Sequence, residues 1–216
     1  MRSRGRKKTT ALLGGSFNPA HAGHRRISLF AAKALHLDEM WWMVSPGNPL
    51  KDGAGDMASL LDRVKSARSL SRRSLIKVTA IEKTLGTRFT VDTLTALVRR
   101  YPNRRFIWLM GGDNLAQFHR WHNWRRIAAL MPIAVIARPG YEGDARASRA
   151  AGALRKFVHP QRLIKDWTLW RPPALVLLRF RPDNSSATAI RRANPDWHHF
   201  YTPTPVRDPV TRLTLD

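Results

Sequence analysis

The chain has 216 residues, 43% of them hydrophobic, enough for one domain with a sizeable buried core. It has no cysteine, which excludes disulfides and thiolate-held metal, and no apolar run long enough to span a bilayer, so a cytoplasmic protein with no membrane partner is expected. The formal net charge of +23 draws anionic ligands. The Lys and Arg doublets are nevertheless scattered from Arg25-Arg26 to Arg191-Arg192 and match no nucleic-acid motif, so they favour a solvated basic surface over a nucleic-acid partner.

Residues 1–8 carry five basic side chains and no apolar periodicity, and are expected to form a flexible tail. Thr9 to Leu13 reads as a first strand, and Gly14-Gly15-Ser16-Phe17-Asn18-Pro19 as a tight loop. His21 and His24 follow, the second opening a helix from Arg25 to Leu35. Met40 to Val44 is a continuous apolar run, the pattern of a buried parallel strand, and ends at Ser45-Pro46-Gly47. Met57, Leu60, Val64 and Ala67 give helical spacing to residues 56–70. Strands are expected over Leu75–Val78, Arg105–Met110, Pro132–Ala137 and Ala174–Leu178, and helices over Thr90–Tyr101, Trp124–Leu130, Asp144–Phe157 and Ala187–Arg192. Glu82 to Arg88 reads as a polar connection, Gly111-Gly112-Asp113-Asn114 as the loop closing a strand, and residues 194–216 as a tail of unassigned structure.

Near-continuously apolar strands alternating with helices specify an α/β fold: a Rossmann-like, doubly wound parallel sheet, here as a single domain over residues 9–193. In such sheets ligands bind beyond the carboxyl ends of the strands. Gly14-Gly15, Ser45-Pro46, Gly111-Gly112-Asp113 and Arg138-Pro139 all follow strands immediately and are expected to share one rim.

No Gly-x-x-x-x-Gly-Lys-Ser/Thr loop and no Gly-x-Gly-x-x-Gly fingerprint is present. The strand–loop–helix passage through His21 and His24 offers the alternative, a helix N-terminus that receives phosphate with imidazole donors beside it. Two histidines three apart also suit a metal, for which no third ligand lies nearby, or an ordinary loop.

The segment Gly14-Gly15-Ser16-Phe17-Asn18-Pro19-Ala20-His21-Ala22-Gly23-His24 resembles the signature of the nucleotidyltransferases that carry a His-x-Gly-His motif. Further stretches resemble those of bacterial nicotinate-nucleotide adenylyltransferases in the same order: Val44 to Lys51, Phe89 to Leu94, Met110 to Leu115 with Trp121, Ala137 to Tyr141, and Asn184 to Arg191. The resemblance covers roughly residues 10 to 192 and implies adenylyl transfer from ATP to nicotinate mononucleotide, with release of pyrophosphate and with Mg²⁺ carried chiefly by the ATP phosphates.

By the same resemblance His21, His24 and Lys51 are the catalytic candidates. Gly14, Gly15, Ser16, Phe17, Gly111, Asp113, Ser186, Thr188 and Arg191 line ATP with the two histidines. Asn18, Lys51, Thr90, Trp121 and Arg138 receive the mononucleotide. Each has a plainer reading: Lys51 as a surface lysine, Asp113, Ser186 and Thr188 as helix caps, Trp121 as core. Asn18 stands where many relatives have Asp and Leu50 where many have His; an amide cannot serve as a carboxylate base, so Asn18 is assigned hydrogen bonding only. The acceptors to be told apart are nicotinate mononucleotide, its amide counterpart and phosphopantetheine.

Overall fold

The computed structural model describes residues 6–47, 57–137, 147–180, 186–202 and 204–216. Its strands are β1 (Lys8–Gly15), β2 (Glu39–Val44), β3 (Ile76–Thr79), β4 (Arg104–Gly111), β5 (Ile133–Ala137), β6 (Val158–His159) and β7 (Leu175–Arg179). They form one parallel seven-stranded sheet in the order β3-β2-β1-β4-β5-β7-β6. The helices are α1 (Ala22–Ala34), α2 (Leu60–Ser71), α3 (Ile81–Leu85), α4 (Thr90–Arg100), α5 (Gly112–Gln117), α6 (Trp124–Leu130), α7 (Arg149–Leu154) and α8 (Ala187–Ala193). This is the Rossmann-like α/β fold that the alternation of elements predicts.

The period of two along each strand divides the core into two layers. Leu13, Trp42, Val44 and Ile107 join Ile27, Ala31, Val64 and Ala67 of α1 and α2 on one face. Leu12, Trp41, Met43 and Trp108 join Val91, Leu94, Leu97 and Ile127 of α4 and α6 on the other. Burial on both faces is why adjacent residues such as Trp41 and Trp42 are both apolar.

Chain order reverses between β1 and β4, the central pair of the sheet. Their carboxyl ends are Gly14-Gly15 and Gly111, so both glycine turns flank the crevice where open α/β sheets bind ligands. A Cβ at Gly14 would lie 2.8 Å from Trp108 Cη2, so glycine here admits the indole of the neighbouring strand.

Several local expectations need correction. The passage read as a polar connection contains α3, closed by Gly86 in the left-handed region at φ 63°. Residues 111–114 are not a closing loop: α5 begins at Gly112 directly from β4. Of the helix expected over residues 144–157, Ala147 is helical, the chain bends at Ser148, and Arg149–Leu154 forms a short helix that a 3₁₀ turn over Arg155–Phe157 follows. The unassigned C-terminal residues form a 3₁₀ turn at Trp197–Phe200 and an antiparallel pair, β8 (Val206–Arg207) with β9 (Thr214–Leu215). At the other end Lys8 already lies in β1, and Arg6 pairs with Asp38.

The C-terminal pair is clasped to β3 by one buried carboxylate. Asp208 Oδ2 accepts from Thr79 Oγ1 at 2.8 Å and from Ala80 N at 2.9 Å, and Oδ1 accepts from Val210 N and Thr211 N. Asp208 thus serves the start of α3, whose own N-cap is an alanine. Asp208→Ala leaves buried donors unpaired and is expected to cost about 2–3 kcal/mol in urea unfolding, with part of it recovered by Asp208→Asn.

Candidate active site

The glycine loop is held by its own aromatic ring. Phe17 adopts φ 48°, is 2% exposed, and stacks on Trp42 with ring centroids 5.1 Å apart. Tertiary stacking offsets the left-handed backbone, which a phenylalanine does not favour by itself. Asn18 is buried beside it, and its Oδ1 accepts from Ala58 N at 3.1 Å.

Helix α1 starts one turn earlier than its sequence suggests. His21, not His24, is the N-cap, and His24 is the third helical residue. The His21 backbone N–H donates to His24 Nδ1 at 3.1 Å, and the two rings lie 3.8 Å apart between centroids. An accepting Nδ1 places the proton of the neutral His24 ring on Nε2, which makes Nε2–H a hydrogen-bond donor. No acidic side chain occupies the first turn of α1, so its positive end is not neutralised locally.

The last helix meets this loop. Arg191 Nη1 donates to Asn18 O at 2.6 Å, across most of the chain. Ser186 is the N-cap of α8, and its Oγ accepts from Ala189 N at 3.0 Å. A cavity of about 470 Å³ opens beside it, lined by Met57, Ala58, Thr188, Arg191, Arg192 and His198 among others. Three basic side chains, Arg191, Arg192 and His198, thus line the cavity, and none of its described lining residues is a carboxylate.

The β4 side carries the remaining candidates. Gly111 is the N-cap of α5, and a Cβ added to it would run into Asp113 Oδ1. Asp113 is exposed in the first turn of α5. Thr90 is the first residue of α4, and Trp121 follows the 3₁₀ turn Phe118–Arg120. Their neighbours Phe89 and His122 are in ring contact at 4.5 Å, which brings the two segments together. Trp121 stands edge-on to Trp108 at 6.3 Å, the same indole that fills the space left by Gly14. Just before this segment, burial pushes the Glu82 carboxyl up to about 7.

Lys51 and Arg138 lie outside the described residues, as do Asn184 and Ser185. The structure also contains a site residue that motif reading passes over. Arg63 on α2 is 1% exposed and reaches both strand-end loops. A signal for it exists in the sequence: Arg63 shares the inward helical face of Leu60 and Ala67.

The cytidylyltransferase-like family model matches residues 12–193. A "Probable nicotinate-nucleotide adenylyltransferase" of Erythrobacter litoralis (strain HTCC2594) is 59% identical over 206 residues, 95% of this chain and 94% of that protein. A protein of the same description from Cereibacter sphaeroides (strain ATCC 17025 / ATH 2.4.3) is 51% identical, covering 83% of this chain and 95% of the relative. Among solved structures, Plasmodium falciparum nicotinic acid mononucleotide adenylyltransferase complexed with NaAD superposes with a TM-score of 0.62 at 16% identity, covering 86% of this chain and 83% of that one, a likeness of fold. The order of its motifs, the meeting of its glycine loop with its last helix, and these relatives agree: the chain belongs to the cytidylyltransferase-like family, and within it to the nicotinate-nucleotide adenylyltransferases.

Proposed function

We propose that the protein transfers the adenylyl group of ATP to nicotinate mononucleotide, giving nicotinate adenine dinucleotide and pyrophosphate. The observation that carries this reading is the 2.6 Å contact of Arg191 with Asn18 O. It joins the two phosphate-type elements, the glycine loop with its histidines and the start of the last helix, into one clamp. The printed names of the relatives supply the acceptor.

In this reaction an oxygen of the mononucleotide phosphate attacks the ATP α-phosphorus, and the bond to the β-phosphate breaks. No protein nucleophile takes part, so the protein's work is alignment and charge stabilisation. His24 donates from Nε2, with His21 beside it, to the phosphate oxygens on which negative charge grows. Gly14 to Phe17 and Gly111 with Asp113 border the nucleotide, and Ser186, Thr188 and Arg191 receive the outer phosphates. Thr90 and Trp121 hold the pyridine carboxylate and ring. Lys51 and Arg138 are assigned to phosphate on their motif positions.

Among the described residues no three His, Cys, Asp or Glu side chains converge on a metal position. In the proposed reaction Mg²⁺ comes with ATP, whose phosphates carry it, and when bound it neutralises triphosphate charge. Among the same residues no helix is long and apolar enough to cross a membrane.

The test is a substrate comparison. With ATP and Mg²⁺, nicotinate mononucleotide is expected to yield dinucleotide and pyrophosphate faster than nicotinamide mononucleotide or phosphopantetheine. Absence of dinucleotide from the acid, or clear preference for another acceptor, sinks the reading.

A further inference from the structure

Arg63 is a buried guanidinium whose partners are all backbone carbonyls. Its Nε donates to Ala58 O at 2.9 Å, Nη1 to Ser16 O at 2.9 Å and Ser45 O at 2.7 Å, and Nη2 to Pro46 O at 3.2 Å. Among the described residues it pairs with no carboxylate, and desolvation alone pushes its pKa below the ordinary arginine value. A guanidinium nevertheless stays charged. A single side chain thereby ties the loop after β1, the loop after β2 and the approach to α2.

The carbonyls it captures have a second end. A peptide unit is planar and trans, so its C=O and the following N–H point in opposite directions. Drawing Ser16 C=O onto Arg63 turns Phe17 N–H away from α2, and drawing Pro46 C=O does the same to Gly47 N–H. Likewise Ser45 N holds Gly15 O at 3.0 Å, which turns Ser16 N–H. None of the Ser16, Phe17 and Gly47 amides donates a hydrogen bond to a described residue. Consecutive amides from Ser16 and Phe17, the latter at φ 48°, form the kind of concave donor pair that holds anions.

We propose that Arg63 is the positioning residue of the phosphate site: by gripping the carbonyl side of both strand-end loops it aims the Phe17 and Gly47 amides at the ATP phosphates and sets the gap between the loops before ATP arrives. Its buried charge adds to the field there without touching substrate. A lysine cannot replace it, because one ammonium on a flexible stem cannot span acceptors in three segments. The inference rests on ATP being the substrate.

The test uses the full chain, once the wild type has been shown to make dinucleotide. Arg63→Lys is expected to raise KM for ATP about 10-fold or more while KM for nicotinate mononucleotide moves less than about 3-fold, both per folded molecule. A merely structural arginine would lower the folded fraction and leave both KM values alone, and that result overturns the proposal. Should Arg63→Lys fail to fold, the wild type still decides the matter. On adding a non-hydrolysable ATP analogue with Mg²⁺, the ¹⁵N–¹H resonances of Phe17 and Gly47 are expected to shift strongly. If both amides keep their positions at saturation, the proposal falls. Failure of the wild type to turn over any acceptor would instead strike at the functional reading.

Discussion

His24→Ala should lower kcat/KM for dinucleotide formation by on the order of 100- to 1,000-fold, the scale of a lost donor at developing phosphate charge. The reasoning is geometric. The His21 amide occupies Nδ1, so the donor available to substrate from the neutral ring is Nε2–H. Alanine keeps the helix and removes that donor. The ring is only half-buried and stands over Phe17 at 4.9 Å, so Tm should fall by no more than a few degrees. His24→Asn, whose amide donor is shorter, should recover part of the rate. Steady-state kinetics beside a thermal melt decides it, and normal turnover in His24→Ala would remove His24 from the chemistry.

The largest loss of stability should come from the opposite rim of the sheet. Glu39 opens β2 with a side chain 7% exposed and meets Arg104 at 2.7 Å, Lys77 at 2.7 Å and Lys8 at 3.3 Å. It also accepts from Trp41 Nε1 at 3.0 Å. Glu39→Ala strips the carboxylate from three cations and an indole, one of the cations largely buried. Breaking a buried network of this kind costs roughly 3–5 kcal/mol, or a Tm drop on the order of 10 °C for a chain this long. Activity of the folded fraction at low temperature should be near normal, because the site lies at the other end of the strands.

The same carboxylate gives the fold an acid limit. Burial alone would push Glu39 up, but Lys77, Trp41 and Arg104 outweigh it and hold it at about 2. Asp38 is also held at about 2, first by its hydrogen bond from Arg6. A carboxyl depressed by folding stabilises above its unfolded pKa and loses that contribution as pH falls through its folded one. Stability should therefore decline from about pH 4.5 toward 2, measured as Tm against pH. Glu39→Ala should show a shallower decline, and an equally steep curve would assign the acid limit elsewhere.

How much of this was legible in the sequence depends on whether the signal was local. The strands through Leu12-Leu13, Trp41-Trp42 and Ile107-Trp108 are buried on both faces, so their apolar runs announce them. Helix α4 declares itself through Val91, Leu94 and Leu97. By contrast, α3 is five residues long and its first turn is served by Asp208, more than a hundred residues away, so nothing near it signals a helix. Strand β6 has two residues and exists only by pairing with β7. The site divides in the same way. His21, His24 and the Ser186–Arg191 helix start follow from motif spacing, whereas their meeting through Asn18 is tertiary. Arg63 shows only as a charge on an inward helical face, and its targets are carbonyls, which carry no side-chain signature.

The stack of Phe17 on Trp42 also makes the state of the phosphate loop an optical quantity. Trp42 is buried, fixed by its Nε1–H on Ser28 Oγ at 2.8 Å, with Phe17 over its face and His24 at its edge, 6.1 Å between centroids. Indole emission responds to the rings and charges at its surface, so whatever displaces Phe17 or loads His24 is written into Trp42. Trp121 stands beside the Thr90 segment, on the other face of the sheet, and would report a pyridine ring bound at the proposed place in the same manner. On the proposed assignment of the two substrates each has its own chromophore, and single Trp→Phe replacements turn the order in which they arrive into a question that stopped-flow fluorescence can answer.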